Sequence, residues 1–206
     1  MSSIISQILK LKVRPSFTVE SLDFKLLRES AASEGVKEQY YGLCTDEPNT
    51  LLWVINWPAD SRSAEQKQVE YGSQSFREAV KGLDIQSTPS SWYLPFKNAD
   101  LARPALTAPV CQLCSIRLTS VNANEIMKDS LHKTFTDCYQ ASGFAGGYWA
   151  TALNDDRRHY YYLGWETRKL HDDYAKTELY DEEIDKLIPH MEEGTTNYSS
   201  MVRHVS

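Results

Sequence analysis

The chain has 206 residues, of which 41% are hydrophobic and 24% are charged, and its formal net charge at pH 7 is -6. This composition is typical of a globular protein with one large or two small domains, and without a basic cluster it argues against nucleic-acid binding. No apolar run reaches the ~18 residues that a membrane span requires. Lysines interrupt the apolar N-terminal stretch, which makes it a poor signal peptide, so we expect a cytoplasmic protein with reduced cysteines.

The first half of the chain predicts the element order β-α-β-β-α-β, because runs rich in β-branched and aromatic residues flank two stretches with helical spacing. The expected elements are a strand over 4–13, a helix over 18–33, strands over 38–45 and 50–57, a helix over 58–83 and a strand over 90–96. On the first helix, Leu22 and Leu26 share the face that we expect to be buried, and Gly35 should end the helix. Pro95 favours an edge position for the last strand.

The second half repeats this order at a spacing of about 108 residues. The expected elements are a strand over 108–120, a helix over 121–142, a hairpin of strands over 146–154 and 158–166, one long helix over 167–194 and a final strand over 197–206. Ile126, Leu131, Phe135 and Cys138 are spaced to form one buried helix face.

These two units define the predicted fold class. The order β-α-β-β-α-β is the ferredoxin-like arrangement, an antiparallel sheet with helices on one face. The bare faces of two such sheets can pack together, so we predict an α+β fold in which two ferredoxin-like repeats form an intramolecular α+β barrel. The predicted units are residues 1–97 and 110–206, and residues 98–109 have the composition of a linker. Fusion of both units removes the need to dimerise but does not forbid a homodimer.

Aromatic residues recur at matching positions in the two halves. Along the strand over 158–166, His159, Tyr161 and Trp165 share one face because side chains alternate along a strand. If this face points inward, the barrel interior is aromatic; otherwise the rings fill the core beneath the helices. The core-packing alternative stays open for each ring, since Trp and Tyr are bulky strand formers. The candidate substrate-binding residues are Trp53, Trp57, Trp149, Tyr161 and Trp165.

Two histidines are candidate catalytic bases. An imidazole with a pKa near ~6.5 can accept a proton from an acidic phenol or an activated C–H group at neutral pH, which directs attention to His159 and His171. Adjacent residues on a helix do not face each other, so Asp172 is not expected to orient His171. The alternative for His171 is an exposed polar position on the helix.

Cys111 and Cys114 form a C-x-x-C pair within a predicted strand. An offset of three places the two thiols on opposite faces of that strand, and a zinc site needs about four ligands in one close shell. The acidic runs HDD and YDEEID are more typical of a solvated helix face. We therefore expect core cysteines and no metal site.

The stretch YYYLGWETRKLHDDYA resembles the antibiotic-biosynthesis monooxygenase (ABM) type of the dimeric α+β barrel superfamily. Trp165, Glu166 and Thr167 stand where the third strand of that family runs into a W-E-S/T motif, and His171 follows in the helix. The tandem arrangement is similar to fungal proteins of the superfamily. The resemblance implies a cavity between sheet and helices that takes a flat aromatic or polyketide-like molecule. Residues 175–177, where a heme ligand would be expected, contain no histidine, so we expect no cofactor.

The leading hypothesis is a cofactor-independent monooxygenase or cyclase that acts on a small aromatic or polyketide-derived ligand. Two other classes of function stay open. The same barrel can serve as a non-catalytic small-molecule-binding or stress-response protein, or it can be filled and act as a structural partner. The fold alone does not decide among these, because function resides in the site.

Overall fold

The structure is a computed structural model that describes residues 3–59 and 70–206. Its elements follow the predicted order of two β-α-β-β-α-β units. The strands are β1 (Ile4–Lys12), β2 (Glu38–Leu43), β3 (Thr50–Pro58), β4 (Ser90–Phe96), β5 (Val110–Leu118), β6 (Phe144–Ala152), β7 (Asp155–Trp165), β8 (Met191–Ser199) and β9 (Val202–Val205). The helices are α1 (Leu22–Ser33), α2 (Gln74–Leu83), α3 (Arg103–Leu106), α4 (Asn122–Thr136), α5 (Arg168–Tyr174) and α6 (Glu178–Leu187).

Two antiparallel sheets form the framework, with strand orders β4-β1-β3-β2-β9 and β6-β7-β5-β8. Their inner faces share one apolar cluster, to which Tyr40 and Leu52 contribute from the first sheet and Leu113 and Tyr162 from the second. The helices of each unit cover the outer face of its own sheet and bury a separate cluster there. The prediction of two ferredoxin-like repeats in a tandem α+β barrel is therefore confirmed.

The C-terminal segment links the two sheets. Strand β8 pairs with β5 in the second sheet, and β9 then pairs with β2 at the edge of the first. The prediction of a single strand over 197–206 is wrong because the chain leaves β8 after Ser199 and changes sheets. On the other side, the Leu153 amide donates to the Tyr93 carbonyl at 2.8 Å, which joins the β6–β7 turn to β4.

Helix α1 buries a different face from the one predicted. Leu22 and Leu26 are 67% and 53% exposed, whereas Phe24 and Leu27 are buried. The helix begins at Leu22 rather than near Thr18, and the stripe that contains the large phenylalanine ring turns towards the sheet. The prediction that Gly35 ends the helix agrees with its φ of +94°, a conformation that glycine adopts without strain.

The predicted face of the α4 region holds except at its first residue. Leu131, Phe135 and Cys138 are buried, but Ile126 is 65% exposed. Ala123 takes the buried position in the first turn instead.

The long helix predicted over 167–194 is two helices. Helix α5 ends at Tyr174, and α6 begins after Thr177, whose hydroxyl caps it by accepting from the Tyr180 amide at 3.3 Å. Strand β8 then starts at Met191, inside the stretch predicted as helix. The break lets α5 and α6 cover different parts of the second sheet. The predicted helix over 58–83 is α2 only from Gln74 onwards, and its segment 60–69 lies outside the described residues.

The segment between the units is ordered and packed. Within it, Ala105 and Leu106 of α3 are fully buried and join the cluster between the sheets. Along the described part of the chain, no helix is both long and apolar enough to cross a membrane.

Candidate functional site

A cavity of about 300 Å³ lies in the second unit, between the outer face of its sheet and helices α4 to α6. Strands β5, β7 and β8 form its floor. Its polar lining groups include Gln112, Thr134, His171, Tyr174, Thr196 and Tyr198, and the remainder of the wall is mainly apolar. This volume is at the lower end of the ~300–1,000 Å³ that small-molecule sites occupy.

The position of the cavity decides which strand face carries the candidate rings. Tyr161 and Trp165 belong to the cluster beneath the helices, whereas Tyr160 and Tyr162 point into the space between the sheets. The alternative that the Tyr161 and Trp165 face lines the barrel interior is therefore wrong. The cavity is between sheet and helices, which is the place implied by the ABM resemblance.

His171 forms part of the cavity wall from the first turns of α5. The helix starts there because the Thr167 hydroxyl accepts a hydrogen bond from the Leu170 amide at 3.3 Å. The imidazole packs edge-on against the Trp165 ring at a centroid distance of 5.2 Å and is equally far from the Tyr198 ring. Its side chain is only 12% exposed.

A charged network holds the outer edge of this ring. His171 Nδ1 lies 3.0 Å from Asp172 Oδ1, and Arg168 Nε donates to the same oxygen at 2.8 Å. The Arg168 guanidinium covers the Tyr198 ring at 3.6 Å and donates to Asp46 Oδ2 of the first unit at 2.8 Å. The expectation that Asp172 cannot orient His171 is wrong, because the aspartate side chain bends back along the helix surface to reach the imidazole.

The network fixes the protonation of His171. The hydrogen bond from Arg168 lowers the pKa of Asp172, so this carboxylate is ionised and can only accept. His171 Nδ1 therefore carries the proton, and Nε2 is the acceptor nitrogen. The Tyr198 hydroxyl lies 3.2 Å from each of the two nitrogens, so it can donate to Nε2. Burial lowers the pKa of His171, and the opposing effect of Asp172 does not reverse the shift. The ring is neutral at pH 7 and available as a base.

Trp165 is held by a glutamine in an arrangement that both units share. The Trp165 indole N–H donates to Gln112 Oε1 at 2.9 Å, and Gln112 Nε2 donates to Thr196 Oγ1 at 3.1 Å. In the first unit, the Trp57 indole N–H donates to Gln7 Oε1 at 2.8 Å. The strand registers place Gln7 and Gln112 at equivalent positions. We call each pair a Gln–Trp clamp, and it belongs to the common framework of the repeats.

The remaining titratable groups on the wall stay protonated. Burial raises the pKa of Tyr198 to about 12 and that of Cys138 to about 12, and it also raises the pKa values of Tyr174 and Cys114. None of these groups is an anionic nucleophile at neutral pH. Cys111 lies on the opposite face of β5 from Cys114, as the offset of three predicts. Among the described residues, no group of three or more His, Cys, Asp or Glu side chains could hold a metal ion.

His159 is at the far end of β7 and does not line this cavity. It is 2% exposed, and both ring nitrogens have partners: Nδ1 is 3.1 Å from Thr151 Oγ1, and Nε2 is 3.1 Å from Asn124 Oδ1. Burial lowers its pKa to about 4. These contacts are those of a neutral core histidine with satisfied hydrogen bonds.

The first-unit candidates Trp53 and Trp57 lie in an aromatic core rather than at an open site. The Trp53 ring packs against Phe24 and Phe76 at centroid distances of 5.0 and 5.8 Å, and Trp57 contacts Phe76 at 5.6 Å. The two tryptophans are 0% and 2% exposed. These rings form the core between the first sheet and its helices.

Tyr161 and Trp149 also lie outside the cavity lining. The Tyr161 hydroxyl donates to the Leu131 carbonyl of α4 at 2.8 Å, and its ring stacks on Trp149 at 5.6 Å. The Trp149 indole N–H donates to His132 at 3.2 Å. Of the residues predicted for the site, the structure therefore brings only Trp165 and His171 together in one cavity.

Three residues of the site were not singled out from the sequence: Gln112, Arg168 and Tyr198. A strand-by-strand alignment of the two repeats would have shown that Gln7 and Gln112 are equivalent. Tyr198 is separated by 27 positions from His171, and only the pairing of β8 with β5 brings it near.

The fold and the cavity define a tandem α+β barrel. No protein-family model matches the chain, and a comparison with curated proteins gives no significant match. Among solved structures, the chain is similar to an anthrone oxidase-like protein, with a TM-score of 0.70, 12% identity and coverage of 100% of this chain and 94% of the other.

Two further solved structures have the same fold over nearly their full length. One is a Fusobacterium nucleatum protein provisionally named a monooxygenase, with a TM-score of 0.65, 9% identity and coverage of 100% of this chain and 95% of the other. The other is described as a major regulator of staphylococcal pathogenesis, with a TM-score of 0.55, 8% identity and coverage of 94% and 98%. At these identities the similarity shows the fold alone.

Proposed function

We propose that the chain is a cofactor-independent monooxygenase that acts on a small aromatic or polyketide-derived molecule in the second-unit cavity. The observation that carries this proposal is His171, a neutral and mostly buried imidazole in the cavity wall, oriented by Asp172. Its Nε2 is the nitrogen that can accept a proton once a substrate replaces the Tyr198 hydroxyl, which lies 3.2 Å away. Anthrone-type molecules fit the proposal because they are flat and lose a proton readily from an activated carbon. The names of two similar structures point to the same class of reaction.

The chemistry follows from the arrangement of groups. His171 Nε2 removes a proton from the activated CH₂ group, and the carbanion transfers an electron to molecular oxygen. The radical pair combines to a peroxide anion at that carbon. This anion takes the proton back from His171 and then loses water, which leaves a carbonyl group. One oxygen atom thus enters the product and the other leaves as water. Trp165 is fully buried and supports the His171 ring through their edge-on contact at 5.2 Å. The Tyr198 hydroxyl, which contacts Nε2 at 3.2 Å, can turn to donate a hydrogen bond to an oxyanion of the substrate.

The test is oxygen-dependent turnover of an anthrone by the purified protein, compared under air and under argon. We expect His171→Ala to lower the rate by roughly 10²–10⁴-fold, the usual contribution of a general base. His190→Ala is the matched control, because His190 does not line the cavity. A rate under air that equals the uncatalysed rate, or a His171→Ala variant as active as the wild type, contradicts the proposal.

A cyclase reaction uses the same base to form an enolate from a reactive chain, without oxygen. Turnover of a polyketide-type chain under argon that depends on His171 would assign this reaction instead.

The second candidate function is non-catalytic ligand binding. It is favoured by the similarity in fold to a protein described as a regulator, which indicates that the barrel does not require catalysis. Saturable binding of an aromatic ligand that quenches the fluorescence of Trp165, with no product formed under air, would support this function and exclude the oxygenase.

A further inference from the structure

A second cavity, of about 450 Å³, lies at one end of the space between the two sheets and shares no lining residue with the His171 cavity. Asn56 of β3 and Ile4 of β1 lie at its base, and Glu38, Arg103 and Arg203 lie on its wall. We call it the barrel-end pocket.

Asn56 is an unusual residue in this position. Asn56 is 5% exposed. Neither Nδ2 nor Oδ1 of its side-chain amide has a hydrogen-bond partner among the described residues. An unpaired buried amide is costly, and native proteins rarely retain one without a use. A group that both donates and accepts hydrogen bonds would satisfy both atoms at once.

The wall of the pocket is positively charged. Glu38 is bound by two guanidinium groups: Arg103 Nη2 lies 3.3 Å from one carboxylate oxygen, and Arg203 Nη2 lies 2.6 Å from the other. Three basic side chains, those of Lys37, Arg103 and Arg203, face two acidic ones, those of Glu38 and Asp100. One positive charge therefore remains in excess. Arg103 already donates to Glu38 through Nε and Nη2 and to Asp100 through Nη1, and Arg203 contacts Glu38 through Nε and Nη2. Among the described residues of this pocket, Arg203 Nη1 and the Lys37 ammonium are the donors left for a further anion.

The second unit shows that the fold does not require this pocket. The strand registers place Glu38 opposite Asn56 and, in the second sheet, Gly146 opposite Gly164. A Cβ atom on Gly164 would lie 2.8 Å from Ala105 Cα, and one on Gly146, whose φ is +114°, would lie 3.0 Å from a carbon of Pro104. Helix α3 thus fills the space over the two glycines of the second sheet.

Over the first sheet, the equivalent positions hold two polar side chains and an open pocket. We infer that the barrel-end pocket binds a small organic carboxylate whose other end carries a neutral group, such as a carboxamide or a hydroxyl, that donates to and accepts from Asn56. Arg203 and Lys37 bind the carboxylate. This site is independent of the reaction proposed for the His171 cavity.

Succinamate is a suitable probe, since it has one carboxylate and one carboxamide. Butyrate lacks the amide, and butyramide lacks the carboxylate. In an NMR titration of the full chain, we expect succinamate to shift the Asn56 side-chain amide and the Arg203 Nε–H signals with saturation in the millimolar range. Butyrate and butyramide should bind at least roughly ten-fold more weakly, because each loses one set of hydrogen bonds.

Two variants separate binding from folding. Asn56→Leu removes the unpaired amide, so we expect it to retain or raise the thermal midpoint while it abolishes succinamate binding. Arg203→Gln alters a partly exposed residue and should weaken binding without unfolding the chain. The inference is overturned if succinamate gives no saturable shift of the Asn56 amide, if binding persists in Asn56→Leu, or if the shifted signals are those of the His171 cavity.

Discussion

The Gln–Trp clamp gives the sharpest test of how the site is supported. Replacing Gln112 by Leu keeps a side chain of similar length but removes Oε1, which accepts from the Trp165 indole N–H at 2.9 Å. Trp165 is 0% exposed. Water cannot replace the lost acceptor at that depth. We expect the unpaired donor to cost about 1–3 kcal/mol of unfolding free energy. For a chain of this size, this loss corresponds to a fall in Tm of roughly 2–12 °C.

The equivalent substitution in the first unit is a matched control. Gln7→Leu removes the acceptor of the Trp57 indole N–H, at 2.8 Å, and should lower stability by a similar amount. Only Gln112 lines the second-unit cavity, so only Gln112→Leu should change the affinity for an aromatic ligand. Urea unfolding at constant m-value measures the first effect, and fluorescence titration measures the second.

A double-mutant cycle tests the stated cause. If the unpaired N–H is responsible, Trp165→Phe should cost about 1–2 kcal/mol less in the Gln112→Leu background than in the wild type, because phenylalanine has no N–H to leave unpaired. A Gln112→Leu variant that unfolds at the wild-type urea concentration, or two substitutions whose effects simply add, would refute the reasoning.

Three further predictions follow from buried groups elsewhere in the structure. His159 has a pKa of about 4 when folded against 6.5 for the free side chain, so the unfolded chain binds more protons between these values. Its contribution to stability is complete above pH ~6.5 and is lost as the pH falls towards ~4, and His159→Gln should flatten this part of the urea-unfolding profile. Gly164→Ala should lower the free energy of unfolding by about 1–3 kcal/mol, because the new methyl group would press on α3. Gly82→Ala is the control, since its methyl group meets open space, and thermal unfolding of both variants measures the difference. Because burial raises the pKa values of Cys114 and Cys138, mass spectrometry should find both thiols unmodified by iodoacetamide at pH 8 in the native protein and modified in urea, and rapid native alkylation would contradict their placement.

Local patterns in the sequence were sufficient to predict the element order and the repeat, because alternation, helical spacing and turn residues act over short distances. They were insufficient where two local solutions compete. Helix α1 has two apolar stripes, and the one containing Phe24 is buried in place of Leu22 and Leu26. The transfer of β9 to the first sheet is a long-range pairing without a local signal.

The same distinction applies to the site. The motif around Trp165 placed His171 near the cavity, since strand, turn and helix are consecutive there. The groups that determine its chemistry come from elsewhere: Tyr198 arrives through the β5–β8 pairing, and Asp46 of the first unit reaches Arg168 across the barrel. Asp172 is adjacent in sequence but was discounted, because the general rule for neighbouring helix positions ignores a short side chain that bends back to a ring at 3.0 Å.

The two units share one framework but surround the space beneath their helices with different side chains. Both units carry the Gln–Trp clamp beneath their helices, so the framework is the same. In the described part of the first unit, Phe24 and Phe76 pack against the tryptophans, which stabilises the core. A cavity of about 410 Å³ lies farther out, between α1 and α2. In the second unit, the cavity of about 300 Å³ lies directly beside the tryptophan of the clamp and a neutral imidazole. The difference between the two units therefore lies in the polar groups beside the tryptophan, since only the second unit places an imidazole there within the described residues.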